Sequence, residues 1–216
     1  MEAIVMAAGE GRRMRPITER WPKPVLPIDG RAVIATLVRR LLDEGFGPIT
    51  VVTGHLGEQV EELLDGLDLR FARQPRPDGS LDAVRHALGA GAELPALVSA
   101  ADTLFAAGDP SKVAAAQGAA IAYRADPRKA RIELEDGFVR GVVADDPALP
   151  YSAAPLWLLS DGIDLEGLAG PPFELAAAFQ RAIDAGIPVR AVEIGPTRDL
   201  TEPPDLVREN FAYLGG

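Results

Sequence analysis

The sequence contains no cysteine, only two histidines and only three lysines among its 22 basic residues. Without cysteine, the chain can form neither a disulfide framework nor a thiolate metal site. No apolar run approaches the length of a membrane-spanning helix, and the first residues enter a strand pattern without the basic and apolar regions of a signal peptide. The lack of cysteine indicates no redox compartment, whereas the lack of a signal peptide and of a membrane-spanning run makes the cytoplasm, without membrane contact, the default expectation.

Positive charge is scarce throughout the chain. The 32 acidic residues outnumber the 22 basic ones, which gives a net charge of -10 and a pI near 4.7. This balance argues against nucleic-acid binding as the main activity, because nucleic acids are polyanions. With 216 residues, of which 47% are hydrophobic, the chain can bury a full core as one domain. The sequence leaves open whether that domain is a monomer or a homo-oligomer.

Hydrophobic patterning predicts alternating strands and helices. The first run, Glu2 to Ala7, is short and apolar, as expected for a central strand that is buried on both faces. Further strands are predicted at residues 49–53, 67–72, 94–100, 119–123, 153–159 and 189–194, with a hairpin over 131–143. Helices are predicted at residues 32–45, 58–64, 81–88 and 173–185. This alternation is typical of the α/β class, with a Rossmann-like, doubly wound, mostly parallel (mixed) sheet in a single domain.

The first strand ends in a glycine turn, Ala8-Gly9-Glu10-Gly11, which can bring backbone N–H groups close to an anion. Five cations follow it, namely Arg12, Arg13, Arg15, Arg20 and Lys23. Two common phosphate motifs are absent, because Met14 stands where the dinucleotide fingerprint needs its third glycine and the chain has no Gly-Lys-Ser/Thr at the Walker spacing. The turn therefore predicts a phosphate site of another kind, and the alternative is a strand-to-loop turn with solvated arginines.

A longer string around this turn is shared with a known family. The chain reads Ala7-Ala8-Gly9-x-Gly11-x-Arg13-Met14-x-Pro16-x-Thr18, and then Pro22-Lys23-Pro24-x-x-Pro27 and Gly30. This string closely resembles the signature of the sugar-1-phosphate nucleotidyltransferases, which activate sugar phosphates with an NTP. The resemblance implies a GT-A-like fold with a nucleotide-binding half at residues 1–110 and an acceptor-binding half at 111–216. It also implies that Ala8, Gly9 and Gly11 bind the nucleotide, that Arg13 holds the triphosphate, and that Lys23 reaches the reacting phosphates.

Gln74 follows the third predicted strand and is held there by Pro75. Its amide offers a donor and an acceptor side by side, which matches the edge of a pyrimidine base. In the uridylyl- and thymidylyl-transferring members of the resembled family, a corresponding Gln-Pro and a glycine read the base. The resemblance therefore assigns nucleotide binding to Gln74 and Gly79 and favours UTP or dTTP, and the alternative is a polar loop before a helix.

Asp102 follows the strand predicted at 94–100, at the carboxyl end where open α/β sheets bind ligands. A carboxylate there suits Mg²⁺, which takes one or two carboxylates together with phosphate oxygens. The alternative role for Asp102 is the N-cap of a following turn. The resemblance adds Asp199 as the second metal ligand, because residues 199–210 match the closing motif of the family. Asp205, in the same motif, is predicted to be structural, at the start of the last helix.

The acceptor site departs from the family pattern. Where the family has Glu-Lys-Pro, with a lysine that contacts the sugar phosphate, this chain has Asp145-Asp146-Pro147, and no lysine follows Lys129. Arg198 is the best replacement, because it adjoins Asp199 and its planar guanidinium can bind a phosphate through two donors. The alternative for Arg198 is an exposed loop arginine or one that pairs with its neighbours. The next candidates are Arg131 and Arg140.

Together these residues predict transfer of a nucleoside monophosphate from an NTP to a sugar 1-phosphate, giving a nucleotide sugar and pyrophosphate, with Mg²⁺ as the cofactor. The partners are small molecules, the NTP and the phosphorylated acceptor. Two other functions stay open. The acceptor could be a non-sugar phosphate such as phosphocholine, as the missing lysine indicates, or the chain could be a catalytically silent nucleotide-sugar sensor or regulatory subunit. The sequence assigns no role to His55.

Overall fold

The computed structural model describes residues 1–125, 130–142, 146, 148–168 and 170–211. The strands are β1 (Glu2–Ala7), β2 (Pro27–Ile28), β3 (Arg31–Ala32), β4 (Ile49–Thr53), β5 (Arg70–Arg73), β6 (Ala96–Ala100), β7 (Thr103–Leu104), β8 (Ala119–Arg124), β9 (Ile132–Glu135), β10 (Phe138–Val142), β11 (Ser152–Leu159), β12 (Val189–Glu193) and β13 (Arg198–Asp199). The helices are α1 (Val33–Asp43), α2 (Gly57–Leu63), α3 (Ser80–Gly89), α4 (Asp109–Ala114), α5 (Leu175–Asp184) and α6 (Pro203–Asn210). Short 3₁₀ turns at Arg12–Met14, Ile17–Glu19 and Lys23–Val25 connect β1 to β2.

A nine-stranded sheet in the order β5-β4-β1-β6-β11-β8-β12-β10-β9 forms the centre of the molecule. Strands β5, β4, β1 and β6 are mutually parallel, β11 runs antiparallel between β6 and β8, and β12 is parallel to β8. The predicted doubly wound, mixed sheet in one domain is thereby confirmed. Because β1, β4, β6, β8 and β12 share one direction, their carboxyl ends meet at the same edge, where such sheets bind ligands.

Helices cover both faces of the sheet. Buried side chains of α1 and α4 pack on one face, and those of α3 and α5 pack on the other. Strand β1 alternates between the two, since Val5 belongs to the first core and Ile4 to the second. Its buried, apolar sequence follows from this central position.

Element boundaries differ from the predictions by a few residues. The strand expected at 67–72 is observed at Arg70–Arg73, and the helix expected at 173–185 is observed at Leu175–Asp184. The sequence did not predict the β2–β3 hairpin or the pairing of β7 with β13, because strands of two residues carry no hydrophobic period. In the described part of the chain, no helix is both long and apolar enough to cross a membrane.

Candidate functional site

A cavity of about 290 Å³ opens at the carboxyl edge of the sheet, between the ends of β1 and β6. Its wall includes the glycine turn, the first arginines and both a lysine and an aspartate. The lining residues are Met6, Ala7, Gly9, Gly11, Arg12, Arg13, Met14, Lys23, Pro24, Ala100, Asp102 and Thr201. The structure therefore brings together five residues that the sequence assigned to the nucleotide, the reacting phosphates and the metal: Gly9, Gly11, Arg13, Lys23 and Asp102.

The arginine loop, residues 8–23, owes its shape to two close approaches. Gly11 has a φ of +61°, and a Cβ there would lie 2.8 Å from Cγ2 of Thr18. Ala8 is buried, and a Cβ on Gly54 would lie 2.7 Å from the Ala8 carbonyl oxygen. Glycine is therefore needed at position 11 for its left-handed conformation and at position 54 for the close contact with Ala8. Ala8, which the resemblance assigned to the nucleotide, is not among the residues that line the cavity.

The arginines of the loop differ in their partners. Nε of Arg12 donates to Glu10 at 2.7 Å, and Arg15 lies 3.6 Å from the same carboxylate. The hydrogen bond from Arg12 holds the pKa of Glu10 below its usual range. Among the described residues, Arg13 has no carboxylate within ion-pair distance, although it lines the cavity. Its charge is thus available to an anion in the cavity.

Lys23 and Asp102 form an ion pair in the cavity wall. The Lys23 side chain is 13% exposed and that of Asp102 is 28% exposed, so both charges are partly withdrawn from water. The other Asp102 oxygen accepts a hydrogen bond from Thr103 at 3.2 Å. Partial burial strengthens the interaction of such groups with any phosphate or cation that enters the cavity.

Asp199 lies on β13, which pairs with β7 directly after Asp102, and Asp199 itself is not part of the cavity wall. Asp199 pairs with Thr103, the residue after Asp102, and it accepts a hydrogen bond from Thr201 at 2.9 Å. Within the described ranges, no three histidine, aspartate or glutamate side chains cluster closely enough to hold a metal by themselves. Asp102 in the cavity wall and Asp199, which is bonded to the wall residue Thr201, are carboxylates of the kind that Mg²⁺ takes together with substrate phosphates and water.

Gln74 is 4% exposed and lies outside the cavity wall. Its Nε2 donates to the Gly79 carbonyl at 3.0 Å and to the Asp82 carboxylate at 2.8 Å. Both partners can only accept, so the amide nitrogen must face them and the amide oxygen must face the other way. The two predicted base-reading residues, Gln74 and Gly79, are therefore joined to each other and to α3. The donor half of the predicted donor–acceptor pair is already engaged within the protein, which differs from the expectation that both halves face a base.

Arg198 is not brought to the cavity. Its guanidinium donates to both carboxylate oxygens of Asp29, to the Glu209 side chain at 2.7 Å and to the Glu209 carbonyl at 2.8 Å. This arrangement differs from the acceptor contact that the sequence predicts, because the donors of the fork already bind partners on the β2–β3 hairpin and on α6. The hydrogen bonds from Arg198 also hold the pKa of Asp29 below its usual range.

The other acceptor candidates are placed as follows. Arg131 donates to the Leu149 carbonyl, and Arg140 donates to Glu135 at 2.8 Å on the exposed hairpin. Asp146 accepts from the backbone of Ala148 at 2.9 Å. Lys129, Asp145 and Pro147 lie outside the described residues.

Sequence reasoning missed three contributors to this region. Thr201 lines the cavity and bonds Asp199. His55 contacts the arginine loop, with its Nε2 at 2.7 Å from the Thr18 carbonyl oxygen. Asp82 orients Gln74. Of these, only Asp82 carried a local signal, since it stands in the first turn of the helix that follows Gln74.

Comparison with known proteins agrees with this geometry. A relative from Neisseria meningitidis serogroup B, N-acetylmuramate alpha-1-phosphate uridylyltransferase, is 40% identical over 85 residues, or 38% of this chain and 37% of its own length. The 2-aminoethylphosphonate cytidylyltransferase of Lancefieldella rimae is 46% identical over 57 residues, or 26% of this chain and 23% of its own. The chain thus matches well under half the length of these curated relatives.

The fold has a close counterpart among solved structures. UDP-glucose pyrophosphorylase from Acinetobacter baumanii superposes with a TM-score of 0.81 over 98% of this chain and 92% of its own, at 20% identity. That likeness establishes the fold. At the level of sequence, residues 3–162 match a defined family along most of the sheet and all of the cavity wall except Thr201. The chain belongs to the family of MobA-like NTP transferase domains.

Proposed function

We propose that the protein transfers a nucleoside monophosphate from UTP or dTTP to a sugar 1-phosphate. The observation that carries the proposal is a cavity wall that combines a glycine turn, Arg13, which pairs with no carboxylate among the described residues, and the Lys23–Asp102 pair. Nucleotidyl transfer needs anion binding, charge stabilisation and a metal within one small space, and these residues supply groups of each kind. We expect the cytoplasm as the compartment, in keeping with the sequence.

In the proposed reaction, a phosphate oxygen of the acceptor attacks the α-phosphorus of the NTP. A new phosphorus–oxygen bond forms, and the bond from the α-phosphorus to the bridging oxygen of the β-phosphate breaks. Pyrophosphate leaves with that electron pair. The protein forms no covalent intermediate, so its contribution is positioning and electrostatic stabilisation.

The roles follow from the placement of the charges. Arg13 binds the outer phosphates, because its guanidinium can form two parallel hydrogen bonds with phosphate oxygens. Lys23 lies deeper in the wall, next to Asp102, and stabilises the negative charge that grows around the α-phosphorus. Backbone N–H groups of the glycine turn hold the remaining phosphate oxygens.

Asp102 and Asp199 would hold Mg²⁺. The fit rests on the donor set, since Asp102 lines the cavity and Asp199 is bonded to Thr201 of the same wall, and one or two carboxylates are the protein share of a typical magnesium–nucleotide site. When bound, the ion supplies Lewis acidity and charge neutralisation at the phosphates. Thr103 and Thr201 orient the two carboxylates by donating hydrogen bonds to them at 3.2 Å and 2.9 Å.

The base preference is proposed from Gln74 and Gly79. With its nitrogen held by Gly79 and Asp82, the Gln74 amide has a fixed orientation and can discriminate bases by the acceptor it presents. Fixed polar groups reject the wrong base strongly, because mismatched groups are left unpaired. The N3–H of uracil or thymine can donate to the Gln74 amide oxygen, in keeping with the UTP or dTTP that the resemblance implies.

A screen of pyrophosphate release tests the proposal. UTP, dTTP, CTP, ATP and GTP are each combined with hexose 1-phosphates and with phosphocholine, in the presence of Mg²⁺. We expect release only when a pyrimidine nucleotide and a sugar 1-phosphate are both present, and loss of release in Lys23→Met but not in Lys112→Met. No release with any pair, while UTP still binds, would favour the silent nucleotide-sugar sensor.

A second candidate function is transfer to a non-sugar phosphate or phosphonate. It is favoured by the absence of a lysine after Lys129, and one relative is a 2-aminoethylphosphonate cytidylyltransferase. With 2-aminoethylphosphonate added to the screen as a further acceptor, this function would give pyrophosphate release with CTP and phosphocholine or 2-aminoethylphosphonate and none with hexose 1-phosphates.

A further inference from the structure

We propose that His55 is a positioning residue for the nucleotide, because it holds the arginine loop in the shape that offers N–H groups to a triphosphate. The identity of the ligand rests on the proposed function. The contacts that carry the inference lie within the protein itself.

His55 follows β4 at the turn into α2, and it contacts the arginine loop near both ends. Its ring Nε2 donates to the Thr18 carbonyl at 2.7 Å, and its backbone N–H lies 3.4 Å from the Ala8 carbonyl. A carbonyl oxygen can only accept, so Nε2 carries a hydrogen in this contact. One residue therefore links the two arms of the loop.

Thr18, which accepts the hydrogen bond from His55, is itself bonded to Gly11. Thr18 is 1% exposed, and its hydroxyl donates to the Gly11 carbonyl at 2.9 Å. The same carbonyl accepts the Met14 N–H at 2.8 Å. The Thr18 methyl also leaves no room for a Cβ at Gly11, so Thr18 packs directly against the turn.

The direction of these carbonyls matters for anion binding. A trans peptide unit is planar, and its C=O and N–H point in opposite directions. When the Gly11 carbonyl is held by Thr18, the N–H of Arg12 is turned the other way, and the Ala8 carbonyl fixes the N–H of Gly9 in the same manner. Gly9 and Arg12 line the cavity, so N–H groups oriented in this way are available to phosphate oxygens.

Two residues near His55, Gly54 and Gln59, also contact carbonyl groups of the arginine loop. Nε2 of Gln59 donates to the Arg20 carbonyl at 2.9 Å, and Gly54 packs against the Ala8 carbonyl. The segment from Gly54 to Gln59 thus contacts carbonyl groups of the arginine loop at three residues, Ala8, Thr18 and Arg20. Carbonyl oxygens that turned into the cavity would repel phosphate, and these contacts keep them engaged elsewhere.

The closing experiment compares wild type with His55→Ala, His55→Gln and Gln180→Ala. Glutamine restores an N–H donor in place of Nε2. Gln180 provides the matched control, because its neutral side chain also bonds a backbone group, the Val142 N–H at 2.8 Å, and it lies on α5 away from the cavity. Each protein is titrated by calorimetry with inorganic triphosphate and with UTP, both with Mg²⁺, and its thermal unfolding is recorded.

We expect His55→Ala to weaken the binding of triphosphate and of UTP by the same factor. That factor is about five- to tenfold, which corresponds to one lost hydrogen bond. His55→Gln should recover most of the affinity, and Gln180→Ala should bind as wild type does. A purely structural role would lower the unfolding temperature and leave triphosphate affinity unchanged. That result, or a loss for UTP alone, would overturn the inference.

A second measurement needs no nucleotide. Trypsin can cut the loop after Arg12, Arg13 and Arg20, whereas Pro16 blocks the bond after Arg15. We expect faster cleavage at these three bonds in ligand-free His55→Ala than in wild type or Gln180→Ala, and equal rates would overturn the inference. If the wild-type protein binds UTP but transfers no UMP to any acceptor, the proposed function fails. The binding and cleavage measurements would still decide whether His55 positions the arginine loop.

Discussion

Arg198 donates hydrogen bonds to both carboxylate oxygens of Asp29, a residue 169 positions earlier in the chain. The same guanidinium bonds the side chain and the carbonyl of Glu209. Arg198 therefore joins β13 to the β2–β3 hairpin and to α6. Since β13 also carries Asp199, this clamp fixes the backbone beside one proposed metal ligand.

The clamp predicts a stability effect for Arg198→Ala. Loss of its hydrogen bonds should lower the free energy of unfolding by about 1–3 kcal/mol. In enzyme assays, the KM for the acceptor and the KM for the NTP should change by similar factors. Urea unfolding and steady-state kinetics measure both. The control is Arg140→Ala, which removes an exposed pair with Glu135 on the β9–β10 hairpin and should cost less than about 1 kcal/mol. A raised acceptor KM with unchanged stability would instead support the acceptor role that the sequence suggests.

Acid sensitivity is predicted at the start of α6. Burial raises the pKa of Asp205. The hydrogen bonds from the Glu202 and Thr201 N–H groups and the nearby charge of Arg208 lower this pKa by more than burial raises it, so the net shift is downward. A carboxyl group with a lowered pKa in the folded state adds stability above its ordinary pKa of 3.8, and that stability is lost as the pH falls below this value.

The measurement is the urea midpoint between pH 6 and pH 2.5, in wild type and in Asp205→Asn. We expect Asp205→Asn to be less stable at pH 6 and to lose less stability on acidification. Asp65→Asn, a change on the exposed surface, should follow the wild-type curve. Identical slopes for Asp205→Asn and wild type would show that Asp205 is not the group responsible.

The sequence predicts well those parts of the fold that depend on local pattern. Strand β1 reads as a buried run because both faces of the sheet are covered, and the glycine turn and Asp102 follow from their places after strands. The partners of Arg198 and Gln74 could not be predicted. They depend on the two-residue pairing of β7 with β13 and on the packing of Asp82 of α3 against the end of β5, and neither leaves a periodic signal in the chain.

The metal proposal predicts that Asp102→Asn and Asp199→Asn each lose most turnover with Mg²⁺. Replacing a carboxylate removes charge from the site, and a loss of about a hundredfold or more is the size found when one preorganised electrostatic group is removed. Titration with Mn²⁺ and UTP, followed by paramagnetic relaxation, reports metal binding separately from activity. Circular dichroism checks the fold, with Asp65→Asn as the matched control. Mn²⁺ affinity equal to that of wild type in both variants would contradict the assignment of Asp102 and Asp199 as metal ligands.

The orientation of Gln74 predicts the base preference. UTP or dTTP should give a higher kcat/KM than ATP or GTP, and Asp82→Ala should narrow that ratio by about tenfold, since one hydrogen bond that fixes the amide is lost. Ala90→Ser, on the exposed C-terminal side of α3, serves as the control and should leave the ratio unchanged. Preference for a purine nucleotide in wild type would contradict the role of Gln74.

The conformation of Gly79 leads to a prediction about the proposed base-reading loop. It has a φ of +114°, a conformation that side chains rarely adopt, and a Cβ there would overlap the Phe173 carbonyl, which accepts the Leu81 N–H at 2.9 Å. Gly79→Ala should therefore destabilise the protein by about 2–3 kcal/mol and reduce UTP affinity, because the Gly79 carbonyl also holds Gln74. Gly89→Ala is the matched control, since a Cβ on Gly89 at the end of α3 meets nothing within 4 Å. That change should be neutral or stabilising by up to about 1 kcal/mol. Urea unfolding and UTP titration of both variants check this, and equal stability of the two would mean that the loop has freedom to move away from Phe173.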